Sequence, residues 1–206
     1  MKIEHFIVGV VGTNCYFAIN EDTRECVVID PGDYAKMLEE KLRGGGYTPV
    51  AILLTHGHFD HIMGVEELAK AFSIPVYVHE DDAQMLEDPS LNACAMIGAR
   101  VSVKADRTVK DGDVLNLAGM EIRVIHTPGH TPGGACYYFP KEEVLFSGDT
   151  MFCESVGRTD LPGGSMSALV RSIKEKVLKL PDLTIVYTGH GEPTKIGFEK
   201  QYNPFI

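Results

Sequence analysis

The amino-acid order predicts an α/β sandwich with sheets inside and helices outside, and three observations lead there. Short apolar runs of strand length recur through all 206 residues, stretches of helical period interrupt them in both halves, and no low-complexity linker, charge block or short repeat separates the halves. A chain of this size should bury about 70% of its unfolded surface. Two sets of strands and helices do so by packing their apolar faces in layers.

Taken in order, strands are expected over 6–10, 15–19 and 26–29, the last ended by the turn Asp30-Pro31-Gly32. A helix over 34–42 is closed by Gly44-Gly45-Gly46, because glycine accepts the left-handed conformation that ends helices. After a strand over 50–54, Ile62, Val65, Leu68, Ala69 and Phe72 fall on one helical face, so a helix runs from about 60 to 72. A strand over 76–78 follows Pro75, and residues 92–106 show no period and read as a loop lying over a site. Strands return over 114–117, 121–125, 135–139 and 144–146. Leu169, Ile173, Val177 and Leu180 mark a helix over 166–180, and 184–187 supplies a last strand.

A net charge of -10 with no basic run excludes a nucleic-acid partner, since such affinity rests on clustered Lys and Arg. Five cysteines, odd in number and free of any C-x-x-C pair, point to reduced thiols and a cytoplasmic protein. No apolar run reaches the length needed to span a membrane, and no membrane partner is expected. The chain reads as one domain, 1–206; oligomeric state is not legible.

Thr55-His56-Gly57-His58-Phe59-Asp60-His61 places three imidazoles and a carboxylate in six consecutive positions. His56 and His58 follow an apolar strand and reach one ion from loop backbone, while the helix that begins here carries Asp60 and His61 toward another. Asp60 taken alone reads as a helix N-cap. Three more strands end on a metal-ligand residue in a tight turn: Val124-Ile125 leads to His130, Leu145-Phe146 to Asp149 and Val186-Tyr187 to His190. Loops at the carboxyl ends of strands converge while the strands hold them rigid. Five imidazoles and two carboxylates suffice for two divalent ions, with His56, His58 and His130 on one, Asp60, His61 and His190 on the other, and Asp149 bridging. Such a centre lowers the pKa of bound water toward about 7 and makes hydroxide the nucleophile, which Asp60 would orient.

These residues, in this order, resemble the metallo-β-lactamase superfamily, and within it the short glyoxalase II-like hydrolases. The superfamily likeness spans about Gly12-Thr13-Asn14-Cys15 to His190, and Thr127-Pro128-Gly129-His130-Thr131-Pro132-Gly133, Gly157-Arg158-Thr159-Asp160 and the tail Asn203-Pro204-Phe205 resemble the glyoxalase II-like group. It implies a four-layer αβ/βα sandwich and a thioesterase of hydroxyacylglutathione hydrolase-like type acting on a small acyl thioester. The metals would be zinc, with iron or manganese as alternatives, because His and carboxylate ligands suit all three. The chain ends soon after His190, without the C-terminal helical domain that binds glutathione in full-length glyoxalase II. Ile62-Met63-Gly64 replaces the Gly-Gly of many such enzymes. Asp149 stands where some β-lactamases of the superfamily use Cys, which weighs against a β-lactam role. Persulfide dioxygenases of the superfamily share several of these motifs and hold a single iron at positions matching His56, His130 and Asp149. A third reading is a non-catalytic metal-binding domain, against which stands the Cys-rich nature of structural zinc sites.

Arg158 and Asp160 are candidate substrate or supporting residues, with a surface ion pair as the plain alternative. Phe59 and Phe152 flank the ligand segments, as an apolar wall or as core. His5, His79 and His126 read as structural, His126 near the site, and Cys153 as a buried inert thiol.

Overall fold

Every residue of the strand Thr13–Ile19 is buried, and successive side chains leave on opposite faces. Cys15, Phe17 and Ile19 enter one apolar cluster, Tyr16 and Ala18 another. Burial on both faces requires cover on both sides of the sheet. The computed structural model describes residues 1–206 and supplies that cover.

The first sheet contains β1 (Lys2–Val8), β2 (Thr13–Ile19), β3 (Glu25–Ile29), β4 (Thr48–Leu53), β5 (Val76–His79) and β6 (Arg107–Val109), adjacent in that order. Its pairs from β3 to β6 are parallel. The helices α1 (Ala35–Gly45), α2 (Phe59–Ile62), α3 (Val65–Phe72) and α4 (Ala83–Glu87) connect these strands. Leu38 and Leu42 of α1 and Val65 and Leu68 of α3 pack on the outer face of this sheet.

β7 (Val114–Leu117), β8 (Met120–His126), β9 (Ala135–Phe139) and β10 (Val144–Gly148) form a meander in the second sheet. A short hairpin of β11 (Met151–Phe152) and β12 (Ser155–Val156) follows, then α5 (Met166–Glu175). β13 (Ile185–Thr188) pairs parallel with β10, β14 (Thr194–Lys195) forms the edge, and α6 (Ile196–Tyr202) follows. In β9, Ala135, Tyr137 and Phe139 face the first sheet, while Cys136 and Tyr138 face Leu169 and Ile173 of α5. Three apolar clusters thus separate four layers, as expected for an αβ/βα sandwich.

The departures from expectation have local causes. The first strand lies earlier, at Lys2–Val8, because Gly9 and Gly12 take positive φ and make the turn into β2. The helix expected to close at the glycine run continues through Gly44 and Gly45 and ends at Gly46, φ 64°. The helix over 60–72 is two pieces. Gly64 lies against the Asp30-Pro31-Gly32 turn so closely that a Cβ would strike Pro31 O at 2.7 Å. The second-half helix gives way after Glu175 to a single 3₁₀ turn, Val177–Lys179. β6, α4, β14 and α6 carry too little apolar period to be read in advance. Cys153 is exposed, not buried, because it sits in the turn between β11 and β12.

Candidate metal centre

The structure brings all seven predicted ligands into one cluster, five of them just after a strand's carboxyl end and two in the short helix that follows β4. His56 and His58 follow β4, His130 follows β8, Asp149 follows β10 and His190 follows β13. Asp60 and His61 belong to α2, whose N-cap is His58, so Asp60 is not the cap. Its carboxylate turns instead toward His190 Nε2, at 3.2 Å, and accepts from Thr13 Oγ1 at 2.9 Å.

Three ligand groups emerge: His56, His58 and His130; His56, His61 and Asp149; and Asp60, His61 and His190. In the first, His130 Nε2 is 2.9 Å from His58 Nδ1 and 3.2 Å from His56 Nε2. Asp149 lies between the first and third groups. Its Oδ2 is 3.5 Å from both His130 Nε2 and His190 Nε2, and its Oδ1 is 3.4 Å from His61 Nε2. A carboxylate placed so can serve two ions at once. Gly189 makes room for it, since a Cβ there would overlap Asp149 Oδ1 and press on His61 Cε1.

The surrounding hydrogen bonds decide which nitrogen of each ring carries a lone pair. His130 Nδ1 lies 2.7 Å from the Arg158 carbonyl, which only accepts, so this nitrogen holds the proton. Thr55 Oγ1 spends its hydrogen on Asp30 Oδ2 at 2.6 Å, so His56 Nδ1, 3.1 Å away, must donate to Thr55. His61 Nδ1 donates to the same Asp30 oxygen at 2.9 Å. With Nδ1 turned outward, the Nε2 atoms of His56, His61 and His130 all point inward. Two such acceptors 3.2 Å apart, as in His56 and His130, repel unless positive charge sits between them. Burial, joined by neighbouring imidazoles, holds His56 well below the usual histidine range and pushes His58 to about 3, so protons do not supply that charge near neutrality. His61 Nε2 and Asp149 Oδ1 are buried with no hydrogen-bond partner. Orphaned inward-facing donors of this kind fit divalent ions.

Charge is unevenly divided. Burial opposes ionisation of Asp149, but the nearby His61 ring holds its carboxyl at about 2. Burial likewise works against protonated His61, yet Asp60, Asp30 and Asp149 together raise it well above the ordinary value. Of the groups around Asp149, that of Asp60, His61 and His190 contains a carboxylate and that of His56, His58 and His130 contains none.

Two functional residues escaped the sequence reading. Asp30, seen only as part of a turn, is buried and binds Thr55 N at 2.8 Å besides Thr55 Oγ1 and His61. Asp82 is buried and accepts from Gly57 N at 3.0 Å, Thr131 Oγ1 at 2.7 Å and Gly133 N at 2.6 Å, tying together the two loops that carry His58 and His130. Thr13 and Asn14 act similarly, Asn14 Nδ2 donating to Thr188 O and Gly191 O on either side of His190. His5 orients that amide through a 2.7 Å contact with Asn14 Oδ1, a structural role as expected.

Arg158 lines the cleft, but its guanidinium meets Asp160 through two 2.7 Å bonds on the exposed surface, so the surface-pair alternative describes the two side chains. Phe59 and Phe152 both line the cleft. The 92–106 loop contributes Ala93, Met96 and Ile97 to it, around a 3₁₀ turn at Cys94–Ile97. A fourth group, His79, Asp81 and His126, also has its ligand atoms within 4.8 Å of one another, but its ring geometry is unlike that of the centre. The two rings stack at 3.8 Å and 12°, so their lone pairs lie in separate parallel planes. His126 Nε2 donates to Pro132 O at 2.8 Å and pins the turn that carries His130.

A family model described as Metallo-beta-lactamase superfamily matches residues 8–190. Across its full length the chain is 40% identical to the probable metallo-hydrolase YqgX of Bacillus subtilis, covering 98% of that protein. It is 34% identical, with the same coverage, to the hydroxyacylglutathione hydrolase GloC of Haemophilus influenzae. Among solved structures, the BLEG-1 B3 metallo-beta-lactamase matches at TM-score 0.95 and 44% identity over 99% of both chains. A di-iron-bound form of TTHA1623 matches at 0.87 and 38% over 98% of this chain and 100% of that one. ETHE1 from Myxococcus xanthus is more distant, at 0.81 and 27% over 99% of this chain and 84% of its own.

Proposed function

The chain belongs to the Metallo-beta-lactamase superfamily, and on that premise we propose that it is a dinuclear metal-dependent hydrolase cleaving small acyl thioesters. Hydroxyacylglutathione is the thioester class named for a relative. The observation that carries the proposal is the Asp149 carboxylate, with one oxygen toward His130 and His190 and the other toward His61. His56, His58 and His130 would hold one ion, Asp60, His61 and His190 the other, with Asp149 shared. Zinc is the first choice, iron or manganese the alternatives.

Divalent ions bound there would supply Lewis acidity and water ionised near neutral pH. The chain's own groups do the rest. Asp60 faces burial, which would raise its pKa, but the His61 and His190 rings and the bond from Thr13 hold the carboxyl below the usual range. A carboxylate so acidic stores no proton at pH 7, so Asp60 acts by accepting a hydrogen bond and orienting the attacking water. Asp30 and the Arg158 carbonyl keep His61 and His130 in the ligating tautomer. Phe59 and Phe152 limit water around the scissile group. Unpaired, mostly buried cysteines support cytoplasmic residence as part of this reading.

A β-lactam substrate is the second reading, favoured by the BLEG-1 likeness despite Asp149 standing where some β-lactamases have Cys. Metal analysis combined with three assays separates the readings. Two metals per chain and turnover of S-lactoylglutathione or simpler thioesters support the proposal. Faster opening of a chromogenic cephalosporin would move the assignment to a β-lactamase, and one iron with oxygen uptake on glutathione persulfide would move it to a dioxygenase. Full metal loading without any turnover would leave a metal-binding domain.

A further inference from the structure

The cleft above the ligand cluster has a volume of about 710 Å3, and much of its lining is apolar. Val11 from the turn between β1 and β2, Ala93, Met96 and Ile97 from the 92–106 loop, and Phe152 and Leu161 belong to that apolar lining. Val11, Met96 and Ile97 are 50%, 68% and 45% exposed, so each keeps a large share of its surface open to solvent. An exposed apolar strip that borders a polar centre is the usual make-up of a ligand surface.

Charge on the same cleft narrows the ligand. Arg158 is the only Lys or Arg among the lining residues, and Asp160 already takes two of its donors. A glutathione moiety brings two carboxylates and one ammonium, and this wall has no unengaged cation for the carboxylates. Common thiol carriers are polar near the sulfur, whereas an unsubstituted alkyl acyl chain has no polar atom beyond the scissile carbonyl. Resting on the thioesterase reading, we infer that the strip formed by Val11, Met96 and Ile97 takes the substrate's acyl arm, that this arm is an uncharged alkyl chain, and that these residues set chain-length selectivity.

The test uses the metal-loaded full chain with N-acetylcysteamine thioesters from acetyl to octanoyl, beside S-lactoylglutathione. Burying about half of each methylene should raise kcat/KM about twofold per carbon, or roughly fifteenfold from acetyl to hexanoyl. Hexanoyl should exceed S-lactoylglutathione. The double substitution Met96→Glu and Ile97→Glu should cut the hexanoyl-to-acetyl ratio at least about fivefold, these surface positions leaving the core intact. A second readout needs no turnover: calorimetry should find octanoate bound at least about tenfold more tightly than acetate, with the difference lost in the double variant. A flat series, a preference for S-lactoylglutathione, or equal binding of the two carboxylates overturns the inference. Absence of all thioester hydrolysis with the octanoate preference retained would sink the thioesterase reading and leave the apolar subsite standing.

Discussion

On the floor of the cleft, the outward nitrogens of His56, His61 and His130 are each held by a protein oxygen, and Asp30 and Asp82 fasten the loops beneath. On the wall, Val11, Met96 and Ile97 touch solvent, and the 92–106 segment is tied to the metal loop through the backbone bond from Phe59 N to Asn92 O at 2.8 Å. Floor and wall meet different physical demands. Metal chemistry needs ligands held within fractions of an ångström, which takes locked rotamers and supporting hydrogen bonds. Recognition of an alkyl chain is non-directional and needs only apolar area. The floor should therefore be intolerant of substitution and the wall forgiving, and substitutions ranked by expected effect can break that contrast.

Asp149→Ala heads the ranking. Removing the shared carboxylate should lower kcat on the order of 10³-fold and reduce metal content below two per chain by elemental analysis. Two metals retained with near-normal turnover would show that Asp149 is not part of the centre. Next comes Asp82→Ala, which leaves Gly57 N, Gly133 N and Thr131 Oγ1 buried without their acceptor. Each such loss costs about 1–3 kcal/mol and the three share one site, so denaturant unfolding should show a total of about 3 kcal/mol. A change under about 0.5 kcal/mol would mean the floor is less dependent on its bracing than the geometry implies.

Asp30→Asn follows. It keeps the shape but turns an acceptor of three bonds into a mixed donor, so either Thr55 N or both Thr55 Oγ1 and His61 Nδ1 face another donor. Metal affinity should fall about 10–100-fold in a chelator competition, with kcat at saturating metal much less affected. An unchanged affinity would remove Asp30 from the support of the centre.

The same contrast explains what was legible in the sequence. Ligand residues announce themselves by type and density, and buried strands by apolar runs, so His56 through His190 and most strands of both sheets stand out before any fold is known. Asp30 and Asp82 do not. Asp82 belongs to Glu80-Asp81-Asp82, which reads as a solvated acidic patch, yet only Asp82 of the three is buried, because the partners that draw it in, Gly57, Thr131 and Gly133, lie up to 51 residues away. α6 and β14 hide for a related reason. They are short, and what orders them is tertiary: Glu199 is buried where Thr194 Oγ1, Glu154 N and Asn203 Nδ2 donate to it. Sequence pattern carries local period and ligand chemistry, and a buried carboxylate serving distant backbone groups has neither.

The smallest expected effect is the one that tests the wall. Met96→Ser and Ile97→Ser remove apolar atoms that already face solvent. Surface substitutions away from caps, buried polar groups and strained backbone change stability by less than about 0.5 kcal/mol, and neither side chain belongs to an apolar core cluster. The unfolding midpoint of the double variant should therefore coincide with that of the parent, and its metal content should stay the same. Its substrate selectivity should not. A loss of stability above about 1 kcal/mol would mean that the 3₁₀ turn at Cys94–Ile97 is packed into the fold as firmly as the floor. The division between a braced centre and a forgiving wall would then fail.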